Sequence, residues 1–200
     1  DILPELREKY ASILQEPRGG GFWVWKPLII QHALSAMREG DILVYADAGC
    51  RLNPATAARR RFLEYVDMLQ SQKELDVLSF QLEDEHVEDR WTTEATFQHF
   101  GVPPGAKERK SPQLVGGIRL IRRGPHARRW LARVLGALEA DPWLFSDRYN
   151  TDGTPPHFQD NRHDQSIMSL ASKLEGSVVL ADETYPPNQD RFPIWASRIS

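Results

Sequence analysis

The stretch Gly40-Asp41-Ile42-Leu43-Val44-Tyr45-Ala46-Asp47-Ala48-Gly49-Cys50 governs how the rest of the chain can be arranged. Ile42 to Ala46 is a short apolar run with β-branched and aromatic members, bounded by Gly-Asp before it and Asp-Ala-Gly after it. That pattern suits a strand buried on both faces, as in a parallel sheet. It delivers the Asp47 carboxylate to the strand's C-terminal end, where open α/β sheets place their ligands. Gly49 then permits a sharp turn or a close approach of ligand to backbone. Asn53-Pro54 reads as an N-cap and first-turn proline opening the next helix. On spacing alone, Asp47 serves equally well as a turn cap or as a ligand-facing carboxylate.

Helical and strand-like periods alternate around this stretch. Helices are expected over 1–16, 27–38, 54–70, 94–100 and 125–140, and from His163-Asp164-Gln165 to the stop at Gly176. Strands are expected over 77–82, 113–122 and 177–181, the second interrupted by Gly116-Gly117, where a bulge or a close approach is implied. The 54–70 helix should bury Phe62, Leu63, Val66 and Leu69 and leave Arg59-Arg60-Arg61 solvated. The 125–140 helix should turn Trp130, Leu131, Val134, Leu135 and Leu138 inward. His32 reads as a solvated bystander, and 105–112 as a polar, mobile loop. The acidic run 83–89 reads first as a solvated loop, second as a source of a metal ligand or general base. The 141–161 segment is irregular, and the proline-rich tail 182–200 holds enough aromatics to pack. Alternating strands and helices indicate a single α/β layered domain over 1–200.

Composition narrows the function classes. Two hundred residues can bury a real core, and a net charge of −3 lacks the basic surplus of a nucleic-acid binder. Cys50 is the single cysteine, so no internal disulfide forms and a reducing compartment is the default. No apolar run approaches the roughly 20 residues of a membrane span, and no signal peptide opens the chain. The chain starts at Asp1 without methionine and reads as a piece of something longer.

Two further stretches carry chemistry. Phe22-Trp23-Val24-Trp25-Lys26-Pro27 follows three glycines, as a loop over a planar or sugar ligand or as a buried aromatic cluster. Asp164 and Gln165 open a helix, where amide dipoles keep a carboxylate ionised, and an N-cap explains Asp164 as well.

Taken in order, Gly-Phe-Trp-Val-Trp-Lys-Pro (21–27), Gly-Asp-Ile-Leu-Val-Tyr-Ala-Asp-Ala-Gly-Cys (40–50), Ser-Pro-Gln-Leu-Val-Gly-Gly (111–117) and His-Asp-Gln-Ser (163–166) resemble glycosyltransferases of the GT-A fold. More narrowly, they resemble a bacterial and algal-virus group of short sugar transferases with a G-W-x-W-K-P … Y-x-D-A-G signature. The resemblance implies a Rossmann-like mixed sheet flanked by helices. It also implies an enzyme moving sugar from a nucleotide-diphosphate donor, a UDP sugar, to a glycan or polysaccharide acceptor, with Mn²⁺ or Mg²⁺ as cofactor. No nucleic acid and no transmembrane segment are implied, and the place of action is the cytoplasm, at the inner face of a membrane through other parts of the full protein. Trp23, Trp25, Lys26, Asp47, Ala48, Gly49, Gln113, Gly116, Gly117 and His163 become donor-binding candidates, with Asp47 as metal ligand and Lys26 sharing the neutralising role. Asp164 and Gln165 become catalytic candidates, Asp164 binding sugar hydroxyls or stabilising positive character at the anomeric carbon.

Two departures accompany the resemblance. The fold's metal motif is Asp-x-Asp, whereas Gly49 stands at the second place, and the nucleotide-binding first strand of the fold is expected to precede Asp1. Retention of anomeric configuration is favoured. Inversion would require a base, for which Glu88 and Asp84 are candidates. The alternatives are a non-catalytic nucleotide- or glycan-binding module and, more weakly, a phosphohydrolase with Asp47 as nucleophile.

Overall fold

The computed structural model describes residues 4–151, 153, 157–185 and 190–196. Its strands are β1 (Ile42–Ala46), β2 (Cys50–Leu52), β3 (Val77–Gln81), β4 (Ile118–Arg122), β5 (Val178–Ala181) and β6 (Ile194–Ala196). Four of them form a mixed sheet in the order β1-β4-β3-β5. β4 pairs antiparallel with both β1 and β3, and β3 runs parallel to β5. Three strands therefore share one direction and β4 alone opposes them. Helices cover both faces: Trp25–Ala36, Pro125–Ala140 and Asp164–Glu175 on one, Thr56–Ser71 on the other. Alternate residues of β4 serve the two layers, Ile118 and Leu120 toward Tyr65 and Leu69, Ile121 toward Trp130 and Val134. No helix among the described residues is long and apolar enough to cross a membrane.

β1 departs from the expectation of a doubly buried strand in a parallel environment. It is an edge strand with an antiparallel neighbour, and all five residues are half-buried or exposed. β4 is shorter than expected because the chain leaves the ladder at Gly116-Gly117. Upstream of them, Leu114 still bridges Gln81 and the Val115 N–H still donates to the Phe80 carbonyl, 2.7 Å. The first helix breaks at Tyr10 into Pro4–Lys9 and Ala11–Leu14, its start at 1–3 lying outside the described residues.

The helix expected over 54–70 begins at Thr56, because Asn53 turns its side chain elsewhere. Asn53 Oδ1 accepts from the Ala55 N–H and its Nδ2 donates to the Asp190 and Phe192 carbonyls, which ties down the tail. Leu63 is exposed and Tyr65 is buried, so the inward stripe is rotated from the expected one. Arg59 and Arg60 are solvated, whereas Arg61 pairs with Glu183 at 2.6 Å. His32 is exposed. The tail packs through β6 against β2, while Tyr185 is exposed and 186–189 and 197–200 lie outside the described residues.

The Pro125–Ala140 helix matches its expected span, with a cap that local sequence does not reveal. Asp76 Oδ2 accepts from the His126 and Ala127 N–H groups, 3.1 and 3.2 Å. Gly124 makes room for it, since a Cβ there would meet Asp76 Oδ2 at 2.3 Å.

The loop expected over 105–112 is built around a buried arginine. Arg109 holds Glu94 through two hydrogen bonds of 2.7 and 2.8 Å, donates to the Val102 carbonyl, and stacks on Phe97 at 3.9 Å. The Arg109 hydrogen bonds hold the Glu94 carboxyl below its ordinary value. The pair's stability is thus present above the unfolded-state carboxylate range and is lost as pH falls through the lowered folded value. Glu94→Gln should cost roughly 2–3 kcal/mol at neutral pH, because it leaves the buried guanidinium only the longer 3.7 Å contact with Asp89 as charge partner. The gap from wild type should close in acid, as read by urea melts at both pH values.

Candidate active site

β1 ends at Ala46, and the Asp47 N–H donates to the Gly117 carbonyl at 2.8 Å while its own carbonyl accepts from the Cys50 N–H. The carboxylate is thereby fixed at the sheet's end, with Ala48 and Gly49 exposed on the turn that follows. Tyr45, two residues earlier, donates its hydroxyl to Asp47 Oδ1 at 2.8 Å. Lys26 enters from the first turn of the Trp25–Ala36 helix and Asp164 from the first residue of Asp164–Glu175. Their meeting defines the site. Lys26 Nζ lies 2.8 Å from Asp164 Oδ2, and 2.9 and 3.1 Å from the two Asp47 oxygens.

Lys26 and Asp164 are 3% and 5% exposed, whereas the Asp47 side chain is 39% exposed, so the cluster opens outward at Asp47. Burial pulls the Lys26 ammonium down, but Asp164 and Asp47 outweigh it and hold the group above its usual value. Burial raises Asp164, and Lys26 opposes that rise. Burial and the Asp47 carboxylate push the Tyr45 hydroxyl far above its usual range. Asp164 Oδ1 has no hydrogen-bond partner among the described residues.

A second cation lies behind them. Arg119 is fully buried in β4, donating to Ser79 Oγ, Ser172 Oγ and the Val115 carbonyl at 2.8, 2.7 and 3.2 Å. Among the described residues no carboxylate bonds to it. Burial lowers it to about 10, and the Asp164 carboxylate is the charge that supports it.

Three side-chain-bearing residues take positive φ among those described: Phe22 (52°), Trp23 (59°) and His163 (56°). They form one contact set. Phe22 stacks on His163 and Trp23 tilts against it, each with ring centroids 5.3 Å apart. His163 Nε2 meets Asp147 Oδ1 at 2.8 Å, and Arg18 donates to Asp147 Oδ2 at 2.7 Å. Strain of this kind collects where the surrounding structure over-determines a geometry. Trp25 donates its indole N–H to the Gly19 carbonyl, and the Trp23 ring lies where a Gly19 Cβ would be, 2.4 Å from Cδ2. Of the two readings of this stretch, Phe22 and Val24 are core while Trp23 and Trp25 stay half-buried.

Several expected roles move. Gln113 is fully buried, its Nε2 donating to Glu88, Thr92 and Ser166 and its Oε1 accepting from Gln165 Nε2 at 2.7 Å. It orients Gln165, whose Oε1 accepts from the Gly116 N–H at 3.0 Å, and has no amide left for a sugar. Gly116 and Gly117 make room for protein side chains. Added Cβ atoms would lie 2.7 Å from Gln165 Cβ and 2.9 Å from Asp47 Oδ2. Glu88 is sealed among Lys173 (2.9 Å), Thr92 (2.6 Å), Gln113 and Ser169, so it cannot reach an acceptor hydroxyl, and Asp84 lies on the exposed loop.

Mn²⁺ or Mg²⁺ at Asp47 fits these residues poorly. The ammonium already occupies the space that a cation shared by Asp47 and Asp164 would take, and Tyr45 holds Asp47 Oδ1. No three His, Cys, Asp or Glu side chains converge as a metal site among the described residues.

Sequence reasoning missed Tyr45, Arg119 and Asp147. The first had a signal, since residues two apart on a strand share a side. The second stood out as a charge inside the apolar run 118–121. Comparison with protein-family models, with curated proteins and with solved structures finds no match to this chain.

The glycine contacts give a direct check. Gly116→Ala should destabilise by about 1–3 kcal/mol, because the clash includes the Gln165 backbone. Gly117→Ala should cost less and act by shifting Asp47. Denaturant melts of the two variants read the order.

Proposed function

We propose that this chain is a GT-A-type glycosyltransferase that moves a sugar from a nucleoside-diphosphate donor, a UDP sugar, to a glycan or polysaccharide acceptor in the cytoplasm. What supports the reading is convergence. The four stretches that carry the resemblance, as far apart in sequence as Lys26 and Asp164, meet through Lys26–Asp47, Lys26–Asp164, Gln165–Gly116 and the Asp47–Gly117 backbone bond. Such a meeting at a sheet's strand ends is where α/β folds bind ligands.

Transfer breaks the bond between the anomeric carbon and the diphosphate oxygen, so negative charge grows on the leaving group while the sugar carbon becomes electron-poor. In this reading Lys26 presents its ammonium to the diphosphate. Asp164 Oδ1 faces the developing positive charge, held by Lys26 and by its place at the helix start. Gln165, pinned by Gly116 and Gln113, frames the sugar. Trp23 and Trp25 offer half-buried ring surface to the donor. With Glu88 sealed, retention remains the favoured outcome.

Asp47 has both oxygens engaged within the protein and no second acid two residues on, which favours a binding module as the second reading. The two separate in one experiment. Nucleotide sugars are screened for thermal stabilisation, then the binders are assayed for transfer and hydrolysis with wild type and Asp164→Asn. The enzyme reading expects Asp164→Asn to bind donor but lose rate by roughly 100-fold or more. Binding without turnover in wild type favours the module, and no stabilisation by any nucleotide sugar ends both.

A further inference from the structure

We infer that the positive charge a metal cation would bring to this site is supplied by the chain itself, through the Lys26 ammonium. This rests on the glycosyltransferase reading for the identity of the diphosphate, but the charge arrangement is independent of it.

Two carboxylates converge, Asp47 and Asp164, and one cation joins them. The Lys26 ammonium bridges both carboxylates at 2.8–3.1 Å. The ammonium is also fixed as an ion would be. Its helix start sets the stem, and the Trp23 and Tyr45 rings lie 6.0 and 5.7 Å from Nζ. Hydrogen bonds to Asp164 Oδ2 and Asp47 Oδ2 fix two of its three N–H groups, and Asp47 Oδ1 lies 2.9 Å from the same nitrogen. A point charge on a buried stem suits phosphate neutralisation. A hard cation entering here would have to displace that ammonium from both carboxylates.

The consequence is reciprocal: the wild-type site is indifferent to metal, and removing the ammonium creates a metal site. UDP is titrated calorimetrically into wild type after chelation and again with Mn²⁺. Lys26→Met is titrated with Mn²⁺ alone, read by loss of the free-ion electron paramagnetic resonance signal. The expected result is UDP affinity unchanged by Mn²⁺ in wild type, Mn²⁺ capture by Lys26→Met but not by wild type, and metal-dependent UDP binding in that variant. A rise in wild-type UDP affinity of about tenfold or more with Mn²⁺ overturns the inference. If UDP binds under neither condition, the glycosyltransferase reading fails and the capture experiment alone decides, absence of capture overturning the charge assignment. If Lys26→Met does not fold, Lys26→Arg takes its place, keeping the charge and therefore the indifference to Mn²⁺; a metal requirement there overturns it.

Discussion

An ammonium held between two carboxylates, away from water, is the constraint to which the other elements answer. Desolvating an ion costs several kcal/mol, recovered only when geometry and partners are good. Here the partners come from three places that local structure cannot link: the start of one helix, the start of another, and the end of β1. Any of the three displaced by an ångström leaves a buried charge unmatched. The sheet, the helix starts and the glycines at 116 and 117 are fixed in relation to one another through that demand.

The same economy recurs behind the site. Glu88, Lys173, Gln113, Thr92 and Ser169 close a buried polar network with few loose ends, and Gln165 hangs from it. A network satisfied to this degree rigidifies what it holds. Gln165 is therefore placed by groups on β-strand approaches and on its own helix, rather than by anything in its immediate sequence.

Much of the scaffold was legible, and the reasons differ by element. The Pro125–Ala140 helix announced itself by its proline and its stripe, and β1 by a bounded apolar run ending in Asp47. The neighbour of β1 was not legible, because strand pairing is set by distant residues and not by the strand's own composition. The misplaced stripe that put Leu63 inward came from counting apolar residues without weighing Tyr65, whose hydroxyl finds Glu183 and so can be buried. At the site, Lys26, Asp47 and Asp164 each drew attention singly, yet only folding reveals that they touch. Gln113 misled for the opposite reason: a polar side chain invites a ligand in one dimension and satisfies an interior in three.

Phe22, Trp23 and His163 keep left-handed backbones that ordinary residues avoid, at a cost on the order of 1–3 kcal/mol each. Glycine would relax the backbone at any of the three, but at Phe22 and His163 it would also remove a buried ring, a larger loss than the strain it relieves. Thermal robustness and exact ring placement are therefore coupled at these positions, because the packing of Phe22 and Trp23 on His163 is what holds the unfavourable backbone in place.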